Sequence, residues 1–85
     1  MKINDLESAI GGNCIGKHSV SAAEISNIMR YADVSLEMDR DSLDLFYSIT
    51  VDELLSSDMP LSDLDDMKKQ GWSFTEDKRH IIVYI

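Results

Sequence analysis

Gly11-Gly12-Asn13-Cys14-Ile15-Gly16-Lys17-His18-Ser19 is the stretch of this chain densest in residues able to do chemistry. Gly11, four residues, Gly16 and Lys17 make up most of a phosphate-cradling loop. In such a loop, backbone N–H groups and the lysine hold phosphate oxygens, and a following Ser or Thr hydroxyl holds magnesium. His18 stands where that hydroxyl is needed, and Ser19 comes one position late. The context departs further. Residues 3 to 10 carry a helical rather than a strand period, and the next helix announces its cap only at Ser21, too late to aim its N-terminal N–H groups from Lys17. The glycines are therefore expected to turn the chain between two helices, with no nucleotide and no other cofactor. Cys14 and His18 have the spacing of half a zinc site, and His80 is the one further imidazole. Structural zinc takes four ligands, so the expectation is a loop thiol, two imidazoles and no metal. The same pair lacks a third group to orient a nucleophile. Sixteen acids make neighbours such as Asp65 and Asp66 a matter of chance. No catalytic constellation emerges, and the expected class is non-enzymatic.

Elements must position whatever the chain does use, and 85 residues make one small domain, 1–85, with a modest core. The longest apolar run, Ile81-Ile82-Val83-Tyr84-Ile85, is too short to span a bilayer. Asn4, Asp5 and Glu7 break up any secretory signal. Gly11-Gly12 after Asp5 and Leu6 resembles the end of a double-glycine leader of exported bacterial peptides. Ala9 departs from that pattern, and the acidic remainder is unlike a membrane-active peptide. One cysteine excludes an internal disulfide framework. The expectation is a cytoplasmic protein without a membrane partner.

Periodicity gives the elements. Asn4 with Glu7 three places on reads as a cap for a helix over 5–10, with Ile3, Leu6 and Ile10 inside and Gly11 as its stop. Ser21-Ala22-Ala23-Glu24 is a capping box, followed by the stripe Ile25, Ile28, Met29 and Ala32, so a helix is expected over 22–32. Val34, Leu36 and Met38 then alternate with polar residues, as do Leu43, Leu45 and Tyr47 up to Ile49 across the turn Asp39-Arg40-Asp41-Ser42. The pattern predicts a β-hairpin over 34–49, with a second helix as the competing reading. Thr50-Val51-Asp52-Glu53 repeats the capping box for a helix to Ser57. Pro60 opens another, with Leu61, Leu64 and Met67 inside and Gly71 at its end. Trp72-Ser73-Phe74 and His80 to Ile85 flank a charged turn and predict a second hairpin. The expected fold is α+β: short helices packed on antiparallel β-hairpins.

Net charge is −8, and it is unevenly spread. Residues 33–66 hold eleven acids against Arg40 alone, about −10, while Lys68, Lys69, Lys78 and Arg79 gather near the C-terminus. Such a field opposes nucleic acid and favours a basic partner. The leading expectation is a small non-catalytic protein-interaction module, such as a regulator, an inhibitor or an accessory protein of a phage or mobile element. Its acidic face over 33–66, carried by Asp39, Asp41, Asp44, Asp63, Asp65 and Asp66, would meet a basic protein. The final strand adds a second expectation. Apolar on both faces, it would need cover, either inside the sheet with helices on one side or from a second copy of the chain, most simply a homodimer through the C-terminal hairpin near Trp72 or Phe74.

Residues 50–85, a helix, a turn, a second helix, a glycine and a hairpin, resemble the second half of a winged-helix module. The resemblance covers under half of the chain, and the hairpin over 34–49 fits that topology poorly. It implies DNA-binding or an accessory role through Lys68, Lys69, Lys78 and Arg79. The face of the second helix carrying Asp63, Asp65 and Asp66 departs from what a phosphate-facing helix requires.

Overall fold

The computed structural model describes residues 1–11 and 16–85. Its best-specified helix, α2 (Ala22–Ile28), begins as the capping box dictates. The Ser21 hydroxyl accepts from the Glu24 N–H (3.1 Å), and the Glu24 carboxylate accepts from the Ser21 N–H (3.0 Å). α2 is shorter than expected. Tyr31 and Arg30 donate to carbonyls three residues back, Ile28 and Asn27, so the last turn tightens and the chain leaves the helix axis. Ile28 and Ala32 are buried as the stripe requires, but Met29 lies beyond the turn of the axis and is exposed.

α1 (Ile3–Ala9) starts before Asn4. Its cap is Lys2, whose carbonyl accepts from Asp5 and Leu6 and whose side chain caps nothing. Leu6 and Ile10 enter the core, while Ile3 stays exposed. Gly11 does more than stop the helix: its carbonyl accepts from the Phe74 N–H (3.1 Å) and bridges to Ser73 in parallel. The loop analysed above as a phosphate-loop candidate therefore follows a helix. Cys14 lies outside the described residues, and the half-zinc reading lies there with it.

Strands β1 (Ser35–Met38) and β2 (Leu45–Thr50) form the expected hairpin, with Leu36 opposite Tyr47 and Met38 opposite Leu45. α3 (Val51–Ser56) and α4 (Leu61–Gln70) follow, then β3 (Ser73–Phe74) and β4 (His80–Tyr84). The Thr50 side chain makes no cap bond. The first turn of α3 is instead tied to its surroundings, because Val51 N–H reaches the Arg79 carbonyl (2.9 Å) and Glu53 accepts from Asp33 N–H (2.7 Å). In α4, Leu64 and Met67 are buried and Leu61 is exposed. Gly71 ends α4 at φ +98°, the left-handed region, with the His18 ring packed where a Cβ would sit.

The fold is α+β; the described residues form four helices and a four-stranded antiparallel sheet in the order β1-β2-β4-β3. A Cα radius of gyration of 11.8 Å matches the roughly 12 Å of one compact domain of this length. Residues paired across strands share a face. Leu36, Tyr47 and Val83 form one row, and Ile49, Ile81 and Phe74 form another. Ile49, Ile81, Val83 and Phe74 meet the helix residues Leu6, Ile28, Leu54, Leu64 and Met67 in a single core.

That register places the last strand inside the sheet. β4 is bordered by β2 and β3, so it has no free edge. Ile81 and Val83 face the helices and are wholly buried, while Ile82 and Tyr84 on the other face are half-buried. Trp72 and Phe74 are core residues of the same chain, and the Trp72 indole N–H donates to Gln70 (3.0 Å). On that second face the side chains of neighbouring strands, such as Phe46 against Tyr84, half-bury the apolar residues.

Two substitutions check this scheme. Ser21→Ala should lower stability by about 1 kcal/mol through loss of the cap, read as a drop in the denaturation midpoint. Val83→Asp places an unpaired carboxylate at a position with 0% exposure. It should unfold the monomer, by circular dichroism, rather than yield a folded chain of altered assembly.

Candidate interaction surface

Asp39 organises the β1–β2 turn. One carboxylate oxygen accepts from the Asp41 N–H (2.9 Å) and the Ser42 N–H (3.3 Å), and the other accepts from the Tyr84 hydroxyl (3.2 Å). Its carbonyl accepts from Leu43 N–H (2.8 Å), which closes the turn with Leu43 at φ +61°. The bonds from Asp41 and Ser42, with Tyr84 adding to them, hold the Asp39 carboxyl below its ordinary value. Asp44 is lowered too, first by the Lys17 ammonium 2.9 Å away. Local donors thus favour the ionised forms of Asp39 and Asp44.

Around this turn the hairpin exposes apolar surface. The row from the core to the solvent runs Val83, Tyr47, Leu36, and burial falls along it from complete to 56% exposure at Leu36. The next row ends with Leu45 at 44% and Met38 at 55%. The helices cover the centre of the sheet and stop short of β1. Sequence alternation placed Leu36 and Met38 on the correct face, but a period carries no information about how far the opposing layer extends. The one signal was Glu37 between them, an acid in a strand that its neighbours would otherwise mark as buried.

The other sequence-derived residues are distributed as follows. Asp39, Asp41 and Asp44 are brought together at the hairpin turn. Asp63, Asp65 and Asp66 lie on α4, where Asp63 and Asp66 line a groove with Glu24 and Asn27 of α2. Lys68 and Lys69 occupy the last turn of α4, where a cation offsets the partial negative charge of the helix end. Lys78 and Arg79 sit in the β3–β4 turn, and Lys78 forms an exposed pair with Glu7 (3.8 Å). In that turn Asp77 accepts from Thr75 (2.6 Å) and from the Arg79 N–H (3.0 Å). The register puts this turn next to residues 50 and 80, and the acidic turn next to residues 45 and 84, so the two lie at opposite ends of the sheet.

On the face away from the helices, Phe46 and Tyr84 meet at 5.4 Å between ring centroids. They border an open cleft of about 400 Å³ with Glu37, Ser48, His80 and Ile82. No group of three or more His, Cys, Asp or Glu among the described residues could hold a metal ion. No helix there is long and apolar enough to cross a membrane.

A helix pair and a hairpin do follow one another as the winged-helix resemblance implies. The hairpin, however, is built into the sheet, with β4 central. No known family, curated protein or solved structure matches the chain.

The Asp39 bonds set a pH dependence. A carboxyl lowered on folding contributes stability that is complete above its unfolded value of about 4 and is lost as pH falls through the folded value. Acid titration followed by NMR should show the Asp41 and Ser42 amides moving together below about pH 4. Asp39→Asn keeps an acceptor and should flatten that response. An unchanged titration in the variant would remove Asp39 from the turn.

Proposed function

We propose that this chain is a non-catalytic protein-interaction module that binds a basic partner through the acidic, apolar-centred β1–β2 hairpin. The carrying observation is the coincidence of two features on one element. Leu36, Met38, Leu43 and Leu45 are exposed, and the same hairpin carries Glu37 and Asp39 on the other face of the strand and Asp41 and Asp44 in its turn. Exposed apolar area of this kind supports docking, and the neighbouring acids select the charge of what docks and speed its approach. Asp63, Asp65 and Asp66 on α4 extend the negative field but present no comparable apolar centre. A cytoplasmic setting accords with this role.

DNA binding through Lys68, Lys69, Lys78 and Arg79 has weaker support, since α4 carries three carboxylates beside its two lysines. A homodimer through the C-terminal hairpin would have to use the half-buried Ile82 and Tyr84, because Trp72, Phe74, Ile81 and Val83 are taken up by the core.

The immobilised chain should retain a basic protein from an extract of its source cells and release it as salt rises past about 0.15 M, where the screening length falls to roughly 8 Å. The exposed double variant Glu37→Lys/Asp41→Lys should not retain it. Retention of acidic proteins, equal retention by the variant, or submicromolar binding of random duplex DNA at that salt would each overturn the reading.

A further inference from the structure

β1 is an outer strand of the sheet, and all four of its residues are exposed. The ladder fixes which backbone groups it leaves unused. Asp39 donates its N–H to the Asp44 carbonyl at 2.8 Å, and bonded and non-bonded pairs alternate along an antiparallel ladder. Glu37–Phe46 and Ser35–Ser48 are therefore bonded pairs, whereas Leu36 and Met38 turn their N–H and C=O groups away from β2. Among the described residues, no backbone bond from another element reaches those groups. The opposite edge of the sheet differs, because β3 is engaged by the Gly11 carbonyl.

A strand laid along β1 would alternate its side chains between two chemically distinct surfaces. On the helix side it meets Leu36 and Met38. On the other side it meets Ser35, Glu37 and Asp39. Resting on the interaction reading above, we propose that β1 takes up an extended segment of the basic partner as a fifth strand. In that segment apolar residues packed against Leu36 and Met38 alternate with Lys or Arg opposite Glu37 and Asp39. Main-chain bonds to Leu36 and Met38 supply affinity, and the alternating side chains supply selectivity.

A second copy of this chain is the competing occupant, and its charge opposes it. Symmetric antiparallel pairing about Glu37 sets Glu37 against Glu37, and pairing about Met38 sets it against Asp39. Pairing about Leu36 sets Asp33 against Asp39. Like charges directly opposite destabilise a sheet, and both copies carry −8. A Lys or Arg in the same place reverses the sign.

The test uses the intact chain and a short end-capped peptide in which lysine alternates with valine. Binding should slow hydrogen exchange at the Leu36 and Met38 amides and shift resonances over 35–39. A peptide N-methylated on the amides that would face β1 should bind about tenfold more weakly or worse, since each lost backbone bond is worth roughly 1 kcal/mol. Glu37→Lys should exchange preference toward a peptide alternating glutamate with valine. Binding at the hairpin that ignores N-methylation and leaves the two amides unprotected would overturn strand addition and leave the interaction reading standing. Shifts confined to α4 would also overturn it. No binding by any peptide would sink both. Sedimentation showing a dimer that protects the same amides would assign the edge to a second copy.

Discussion

Everything else in this structure follows from β4 running inside a sheet whose Ile81 and Val83 face packs on the described helices. Ile81 and Val83 supply the centre of the core, and they are buried because β2 and β3 flank them and α1, α3 and α4 contribute Leu6, Leu54, Leu64 and Met67 above them. Burying two such side chains contributes about 3–6 kcal/mol before entropy is counted, a large fraction of the stability of a small domain. The described helices, all short, cover the central strands of this sheet and little more. The cost of that geometry appears at the margins, where the residues of β1 are exposed and Ile82 and Tyr84 on the other face are half-buried.

An uncovered margin of this kind is a liability unless something restrains it. Edge strands that show apolar residues and unused backbone groups invite pairing with copies of themselves. Here the restraint is Glu37 within β1 together with the acids of the adjoining turn, which make self-association electrostatically unfavourable. The turn also anchors the margin mechanically. Asp39 joins the tip of the hairpin to the Tyr84 ring through its hydroxyl, and that ring packs on Phe46. The exposed strand is thereby tied to the central one at a point where no helix reaches.

The fold was largely legible in the sequence because its signals are local. The box at Ser21 and Glu24, Pro60 before α4, Gly71 after it and the alternation on each side of Asp39 all act within a few residues, and each is realised. Two caps differ from their sequence signal. α1 starts from Lys2, whose carbonyl takes the N–H groups of Asp5 and Leu6, and Thr50 precedes α3 without a side-chain cap bond while Val51 N–H goes to the Arg79 carbonyl. Ile3, Met29 and Leu61 fall on apolar stripes but lie where no second layer opposes them. For the surface, composition along the chain located the acids of the hairpin. It could not separate them from Asp63, Asp65 and Asp66, which the chain path carries to another element. That β1 is an edge was not legible at all, since strand order depends on β2 choosing β4 as its second neighbour.

Charge at the hairpin adds to this picture. The register sets Asp39, Asp41 and Asp44 at the end of the sheet near residues 45 and 84, and Lys78 and Arg79 at the end near residues 50 and 80. At the acidic end Lys17 pairs with Asp44 and Arg40 lies in the same turn, while Glu7, Glu76 and Asp77 accompany the two cations at the other. The hairpin that carries the exposed leucines keeps a net negative charge. Such a charge orients an approaching cation before contact, which raises the rate of productive encounter more than the strength of the final complex. For the proposed basic partner, the acids would bring the segment to the hairpin end. Leu36, Met38 and the backbone between them would then decide whether it stays.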